Sequence, residues 1–227
     1  MHSMRVLAVD QDAGRASDRQ LYRALAREQH MDLSLLAPEI WRGGLEDVTF
    51  EPESPGSLTV DPTPTRFSGK SHRALYSAML RSVRKIKPDL LFLNAEPESF
   101  ASAQAALIVS RFSPGTRFVF MSWRNQDYTG SGFPYKLGFL NSLCEKLVLR
   151  RAAGCVARTE RARELIQGKG FKSVAVIPPA VDTILFHQTE GLSERAELGV
   201  HGFCIGYVGR LSQEKGLDLL MRSTVLM

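Results

Sequence analysis

The stretch "RVLAVDQDAGRASDRQLYRALAREQ" (residues 5–29) contains the structural unit that recurs along the chain. "RVLAV" is a short apolar run, which is typical of a strand covered on both faces of a parallel sheet. Polar residues follow it, beginning with Asp10, and apolar residues at helical spacing come next. Ser17, with Gln20 three residues later, predicts a capping box at the start of that helix. The stretch therefore predicts a strand, a polar loop and a helix.

Short apolar runs alternate with stretches of helical period along most of the chain. This alternation predicts an α/β fold, a Rossmann-like parallel sheet with helices on both faces. Further strands are predicted at 32–36, 89–94, 117–121, 154–158, 173–177 and 203–208. Further helices are predicted at about 70–87, 99–111 and 135–152, and after Thr159, which is placed to cap a helix that ends near Gly168.

Two segments break the alternation. Residues 41–70 contain four prolines, and we expect an irregular excursion there with one short strand near "SLTV". Residues 178–202 have the composition of a linker with one short helix, after which the strand pattern restarts. We therefore expect an N-terminal Rossmann-like domain over 1–180, a linker over 181–202, and the first βα unit of an incomplete second Rossmann-like domain over 203–227.

The composition limits the classes of partner. The 227 residues are 44% apolar and 23% charged, which is ordinary for a globular protein. Lys and Arg outnumber Asp and Glu by 29 to 24, for a net charge of +5. Such an excess suits phosphorylated substrates, an anionic membrane surface or nucleic acid. Because no nucleic-acid recognition motif is present, we expect no nucleic-acid partner.

The cysteines and the apolar runs indicate the cellular compartment of the protein. Cys144, Cys155 and Cys204 are widely spaced within apolar stretches, which predicts reduced core thiols rather than disulfides or a metal site. No apolar run is long enough for a membrane span or a secretory signal. We therefore expect a cytoplasmic protein.

The stretch "IGYVGRLSQEKGLDLL" (205–220) has the pattern of an anion-binding turn. A strand-to-helix turn directs free backbone N–H groups and the positive end of a helix dipole towards a ligand, and Arg210 and Lys215 add two cations. Gly206 and Gly209 give only G-x-x-G, which does not fit the dinucleotide fingerprint, and Lys215 precedes Gly216, which does not fit the P-loop. The two cations suit a diphosphate, but spacing alone equally allows two solvated surface residues.

Together with "VAVIPPAVDTILF" (174–186) and "RAELGV" (195–200), this stretch resembles glycosyltransferase family 4, which has the GT-B fold. The resemblance implies retaining transfer of a sugar, of the hexosyltransferase type, from a nucleoside-diphosphate sugar to a glycan, lipid or small-molecule acceptor. It also implies a role in cell-envelope polysaccharide synthesis and no metal or other cofactor. One departure is Ala180, which stands where the family often has glycine.

The resemblance also assigns roles within the turn. Gly209, Arg210, Lys215 and Gly216 match the residues that contact the donor diphosphate, and the two cations would stabilise the charge on the leaving group. The family's second donor motif, two glutamates separated by seven residues, lies farther downstream, and residues 217–227 do not supply it. We therefore expect a fragment that is inactive by itself. The alternative is a non-catalytic module that binds a carbohydrate or a partner protein.

Polar residues after the N-terminal strands are candidates for binding the acceptor, because the carboxyl ends of parallel strands lie at one edge of a sheet. Carboxylates and amides bind sugar hydroxyls, and an aromatic face stacks on a sugar ring. Taken singly, each could instead serve solvation, capping or packing. The candidates are Asp10, Gln11, Asp12, Glu96, Glu98, Trp123, Arg124 and Asn125, with Arg158 as a further cleft residue.

Two basic stretches allow peripheral contact with an anionic membrane. Residues 70–87 hold six Lys or Arg and no acid, and residues 135–151 mix Leu and Phe at helical spacing with four cations. Such surfaces can rest on an anionic leaflet that carries a lipid-linked acceptor. The ordinary alternative is an amphipathic helix packed against the sheet.

Overall fold

The computed structural model describes residues 3–43, 46–54, 56, 58–127, 138–181, 183, 187, 192–200, 202–209, 211 and 213–224. The chain divides into two compact units, Met1–Ala180 and Val181–Met227.

The first unit is built on a parallel sheet. Its strands are β1 (Met4–Asp10), β2 (Met31–Pro38), β3 (Ile40–Trp41), β4 (Val48–Thr49), β5 (Thr59–Thr63), β6 (Thr65–Arg66), β7 (Leu75–Tyr76), β8 (Leu90–Asn94), β9 (Arg117–Ser122), β10 (Gly154–Ala157) and β11 (Val174–Val176). Seven of them form one sheet in the order β11-β10-β9-β8-β1-β2-β5, and all its neighbouring pairs are parallel. The predicted Rossmann-like fold class is thereby confirmed.

The described residues of this unit also form five helices: α1 (Gln20–Ala26), α2 (Met79–Ile86), α3 (Phe100–Phe112), α4 (Gly138–Arg151) and α5 (Glu160–Gly168). The Ser99 side chain accepts from the backbone N–H of Ser102 and caps α3. Thr159 caps α5 in the predicted way, because its hydroxyl accepts from the N–H of Ala162 at 3.0 Å. Both caps satisfy a donor that the first turn of a helix leaves free.

Two hydrophobic clusters cover the two faces of the sheet. Val6 and Ala8 of β1 pack with Tyr22 of α1 on one face, while Leu7 and Val9 join the larger cluster on the other. Successive side chains of a strand point to opposite faces, so the continuous apolar run "RVLAV" has both faces buried.

Two predicted helix starts are wrong. Ser17 does not form a capping box, because its hydroxyl bonds to the carboxylate of Asp18, and a 3-10 turn (Ala16–Arg19) precedes α1. The helix predicted over 70–87 begins only at Met79. Upstream of it, turns flank the short strand Leu75–Tyr76, where the backbone N–H and C=O of Tyr76 both bond to the side-chain amide of Gln104.

The excursion over 41–70 is fastened by a buried arginine. Arg19 is fully buried, and its guanidinium donates to the carbonyl oxygens of Ala13, Gly14 and Glu51 at 2.7–2.8 Å and to the Glu53 carboxylate at 3.1 Å. The strand expected near "SLTV" is β5, at the edge of the main sheet. Through Arg19, the loop after β1 is tied to the middle of the excursion, at Glu51 and Glu53.

The second unit contains α6 (Leu192–Glu197), a 3-10 turn (Gln213–Lys215) and α7 (Leu217–Thr224). The buried strand predicted over 203–208 is wrong: none of these residues is in a strand, and Phe203 is 85% exposed. Cys204 is also exposed, so its expected place in a core is wrong as well. A strand needs a neighbour to satisfy its backbone groups, and the described residues of this unit include no other strand.

Candidate functional site

A cavity lies where the order of the sheet reverses. β1 is flanked by β2 on one side and β8 on the other, and the chain continues outward from each. Ligands of open α/β sheets bind beyond the carboxyl ends of the strands at such a switch point. The cavity here has a volume of about 210 Å³ and is lined by Gln11, Asp12, Ser71, His72, Asn94, Ala95, Glu96, Glu98, Ser99 and Trp123.

Asp10 lies at the end of β1 and is buried. Its carboxylate accepts from the Tyr22 hydroxyl at 2.6 Å, from the Asn94 side-chain amide at 2.9 Å and from the backbone N–H of Asp12 at 2.9 Å. Burial raises the pKa of Asp10 despite these bonds. Asp10 thus joins α1, β8 and the loop after β1, and it is not among the residues that line the cavity.

Asp12 does line the cavity, two residues further along the same loop. Loss of surrounding water, followed by repulsion from Asp10 and Asp18, raises the pKa of Asp12 to about 6. This carboxyl group therefore changes charge close to neutral pH.

Glu96 follows β8 and also lines the cavity. One oxygen accepts from the Ser122 hydroxyl at 2.7 Å and the other from the backbone N–H of Trp123 at 2.6 Å. Burial and then the charge of Glu98 raise the pKa of Glu96 to about 7. A carboxyl group with such a pKa can exchange a proton with a bound hydroxyl at neutral pH.

Glu98 and Arg124 belong to a buried ion network. Arg124 contacts Glu98 at 2.5 Å and Glu145 of α4 at 2.7 Å, and Lys169 contacts the other oxygen of Glu145 at 2.7 Å. Glu98 is 2% exposed and Arg124 4%, so both predicted acceptor residues are mainly engaged with other protein groups. Their contacts hold the loops after β8 and β9 against α4.

Trp123 supplies an aromatic face at the cavity. Its side chain lines the cavity and remains 51% exposed. The Arg158 guanidinium lies 4.9 Å from the centre of its ring, a cation–π distance. Asn125 is exposed but is not among the lining residues, so the structure does not bring it to this cavity.

The sequence did not predict the contribution of Ser71 and His72, because the segment before α2 had the pattern of a helix. His72 lines the cavity, and burial together with Arg73 and Lys70 lowers its pKa, so that the neutral imidazole predominates at neutral pH. The prolines that precede this segment were the one signal of irregular backbone.

The predicted donor turn is described in part. Arg210 lies outside the described residues, whereas Lys215 is exposed at the end of the 3-10 turn. Gly216 has a φ of +65°, which an L side chain rarely adopts, and α7 begins at the next residue. Gly209, also described, ends the stretch 203–209 without regular secondary structure. Contact of these residues with a diphosphate remains a prediction.

Metal ligands and membrane helices were also sought within the described ranges. No group of three or more His, Cys, Asp or Glu side chains there is arranged to hold a metal ion. None of the helices in the same ranges combines the length and apolar character needed to cross a bilayer.

Comparisons with known proteins give a matching family and solved structures of similar fold. The family profile described as "Glycosyl transferase 4-like domain" matches residues 14–180. The structure of HepE from Anabaena in complex with UDP-glucose matches with a TM-score of 0.64 and 15% identity over 97% of this chain and 57% of HepE. HepE in complex with UDP matches with a TM-score of 0.65, 18% identity and the same coverage.

The structure of a "putative UDP-N-acetylglucosamine 2-epimerase" from Listeria monocytogenes matches with a TM-score of 0.48 and 12% identity. The match covers 77% of this chain and 45% of the epimerase chain. At 15–18% identity the likeness to HepE is one of fold. This chain spans little more than half the length of HepE. No curated protein matches it in sequence.

Proposed function

The chain belongs to the glycosyl transferase 4-like domain family, and on that premise we propose that it is the acceptor-binding domain and the first part of the donor-binding domain of a retaining glycosyltransferase. The reaction breaks the bond between the sugar and the diphosphate and joins the sugar to an acceptor oxygen with the same anomeric configuration. The acceptor hydroxyl loses its proton in this exchange.

The observation that carries the proposal is the cavity at the switch point. Asp12 and Glu96 present carboxyl groups there with pKa values raised to about 6 and about 7, and Trp123 presents an aromatic face. Carboxyl oxygens accept hydrogen bonds from sugar hydroxyls, and a ring face stacks on a sugar ring. We assign acceptor binding to these three residues, with Asp10, Glu98 and Arg124 holding the walls in place.

For the donor we propose a nucleoside-diphosphate sugar. HepE, which shares the fold, has been crystallised with UDP-glucose, with UDP and glucose, and with UDP. In this chain the diphosphate would contact Gly209, Arg210, Lys215 and Gly216, and the two cations would stabilise the leaving group without a metal ion.

For the acceptor we propose a hydroxyl of a glycan, a lipid-linked sugar or a small molecule, used at the cytoplasmic face of a membrane. The cytoplasmic location is supported by Cys144, Cys155 and Cys204, which are all free thiols.

Tryptophan fluorescence tests acceptor binding. Substitution Trp41→Phe leaves Trp123 as the one tryptophan of the chain, and it lines the cavity. We expect mono- and oligosaccharides that bind there to change its emission. Glu96→Gln in the same background should weaken binding about ten-fold, the effect of one hydrogen bond to a charged group. Glu164→Gln, at an exposed site on α5, is the matched control.

Isothermal titration with UDP-glucose and GDP sugars tests the donor assignment separately. Lys215→Ala should weaken nucleotide-sugar binding, while Lys172→Ala, an exposed lysine of the first unit, should not. Saccharide binding without any nucleotide-sugar binding would support a carbohydrate-binding module instead. Equal titrations for Lys215→Ala and the parent chain would remove the diphosphate assignment.

A further inference from the structure

An apolar groove runs across the outer face of α2, α3 and α4. It has a volume of about 700 Å³, and its lining includes Leu75, Leu80, Phe100, Leu107, Leu140 and Leu143. Leu107 and Leu143 remain 56% and 54% exposed. Exposed apolar surface of this extent, collected from three helices, is characteristic of a surface that binds a partner or a membrane.

The groove adjoins the cavity at the switch point. Ser71 and His72 line the cavity, and Leu75, in the same short segment, lines the groove. Ser99 lines the cavity, and the next residue, Phe100, lines the groove. Two segments of the chain therefore form walls of both depressions.

Each of the three helices that line the groove also carries exposed Arg or Lys residues. Arg84 lies four residues after Leu80 and Arg111 four residues after Leu107, a spacing that places each pair on one face of its helix. All exposed charges of the three helices are positive: Arg81, Arg84, Lys85, Arg111, Lys146, Arg150 and Arg151. Their one carboxylate is Glu145, which is buried and bound to Arg124 and Lys169.

Helix dipoles account for only part of this charge pattern. They favour the five cations in last turns, which are Arg84, Lys85, Arg111, Arg150 and Arg151, but not Arg81 or Lys146. Cations near the C-terminal end of a helix stabilise it, and acids near its N-terminal end do so equally. The first turns of α2, α3 and α4 contain no acidic residue. The face is thus selectively positive around an apolar centre, and this combination matches an anionic lipid surface.

We propose that the face formed by α2, α3 and α4 docks on an anionic lipid bilayer. Acyl chains enter the groove beside Leu107 and Leu143, and lipid phosphates contact Arg84, Arg111 and Arg150. Docking brings the neighbouring cavity to the membrane interface, where a lipid-linked acceptor carries its hydroxyl. The docking depends only on this surface, whereas the identity of the acceptor rests on the proposed function.

Vesicle flotation tests the docking directly. The 227-residue chain should float with phosphatidylcholine vesicles that contain phosphatidylglycerol and remain behind with phosphatidylcholine alone. Arg84→Gln and Arg111→Gln should each weaken binding about five-fold, the effect of one cation near an anionic surface. Leu107→Asp with Leu143→Asp should weaken it at least about ten-fold, because apolar contact is lost.

Matched controls lie on α1 and at its C-cap, on the opposite face of the sheet. Leu21→Asp changes a leucine that is 47% exposed, and Arg27→Gln changes an exposed arginine. Both should float like the parent chain. Circular dichroism of every variant confirms that the substituted surface, and not the fold, has changed.

Two results would overturn the docking proposal. One is equal flotation of the groove variants and the α1 controls. The other is absence of flotation together with a concentration-dependent dimer that Leu107→Asp dissociates, because the groove would then hold a second copy of the chain. Saccharide titration of the same samples keeps the two proposals apart, since a variant can bind sugar and fail to float.

Discussion

Two apolar runs of similar composition adopt different structures in this molecule. "RVLAV" becomes the centre of β1, where Val9 is 0% exposed, whereas "FCIGYV" over 203–208 forms no strand and Val208 is fully exposed. β1 pairs with β2 through Met4–Val9 and with β8 through Val6–Asp10. The described part of the second unit offers no strand with which 203–208 could pair. An apolar run specifies a strand only where neighbours can satisfy its backbone.

The contrast extends to the loops that follow the two runs. The loop after β1 is held by Asp10, which bonds to Tyr22 and Asn94, and by Arg19. In the second unit, the described turn Gln213–Lys215 is closed by a bond from the backbone N–H of Gly216 to the carbonyl oxygen of Gln213. Side chains on the loop after β1 are therefore held in place by hydrogen bonds to the sheet and to α1.

Hydrogen exchange should give the largest difference between the two runs. Amides of β1 should exchange at least about 10⁴ times more slowly than in an unfolded peptide, because they open only with the unit as a whole. Amides of 203–208 should exchange within about ten-fold of the unfolded rate. Exchange followed by NMR measures both, and similar protection of the two runs would break the comparison.

Truncation of a leucine in each unit should give the next largest difference. Leu93 of β8 is 1% exposed, and Leu93→Ala should lower the free energy of unfolding by about 2–5 kcal/mol, through lost burial and the cavity left behind. Leu211 is 84% exposed, and Leu211→Ala should change it by less than about 0.5 kcal/mol. Urea denaturation measures both, and a cost for Leu211→Ala comparable to that for Leu93→Ala would reveal hidden packing in the second unit.

The pH dependence of the free energy of unfolding tests whether Glu96 titrates at the cavity of the first unit as described. The pKa of Glu96 is raised from 4.5 to about 7, so between these pH values the folded protein keeps a proton that the unfolded chain has released. The free energy of unfolding should therefore fall as pH rises from 4.5 to 7, by roughly 1–3 kcal/mol from this group.

Glu96→Gln should remove that part of the slope, because the amide cannot ionise. Denaturation at pH 5 and pH 8 of the parent chain and of the variant makes the measurement. Glu164→Gln, at an exposed site, serves as the control. Asp10 and Asp12, whose pKa values are also raised, should keep their own part of the slope in the variant. A slope as steep as that of the parent chain would assign the titration to groups other than Glu96.

A glycine in each unit gives the smallest expected difference. Gly216→Ala should destabilise the start of α7 by about 1 kcal/mol, because its φ of +65° strains an L residue. Gly168 ends α5 with open space around it, and Gly168→Ala should be neutral or stabilising by about 0.5 kcal/mol. Thermal melts followed by circular dichroism compare the two, and an equal response would mean that Gly216 relaxes freely.

The sequence predicted the strands and the fold class of the first unit well, because the strands are apolar on both faces and alternate with helices. It did not predict the order of the strands in the sheet. The same reasoning nominated Asp12, Glu96 and Trp123, since each follows a strand that ends at one edge of the sheet, and all three line the cavity. The hydrogen-bond and ion-pair partners of the buried charged residues could not be predicted from the sequence. Arg124 meets Glu145, which lies 21 residues away, and no local pattern encodes such a pair.

The way Arg19 holds the loop after β1 has a practical consequence for redesign. Three of its acceptors are main-chain carbonyl oxygens, at Ala13, Gly14 and Glu51, so most of the fastening is indifferent to the side chains at those positions. An engineer can vary the surface chemistry of the joined segments while keeping Arg19 and Glu53. Loop libraries that vary the residues around the neighbouring cavity can be built on this anchor without redesigning the scaffold.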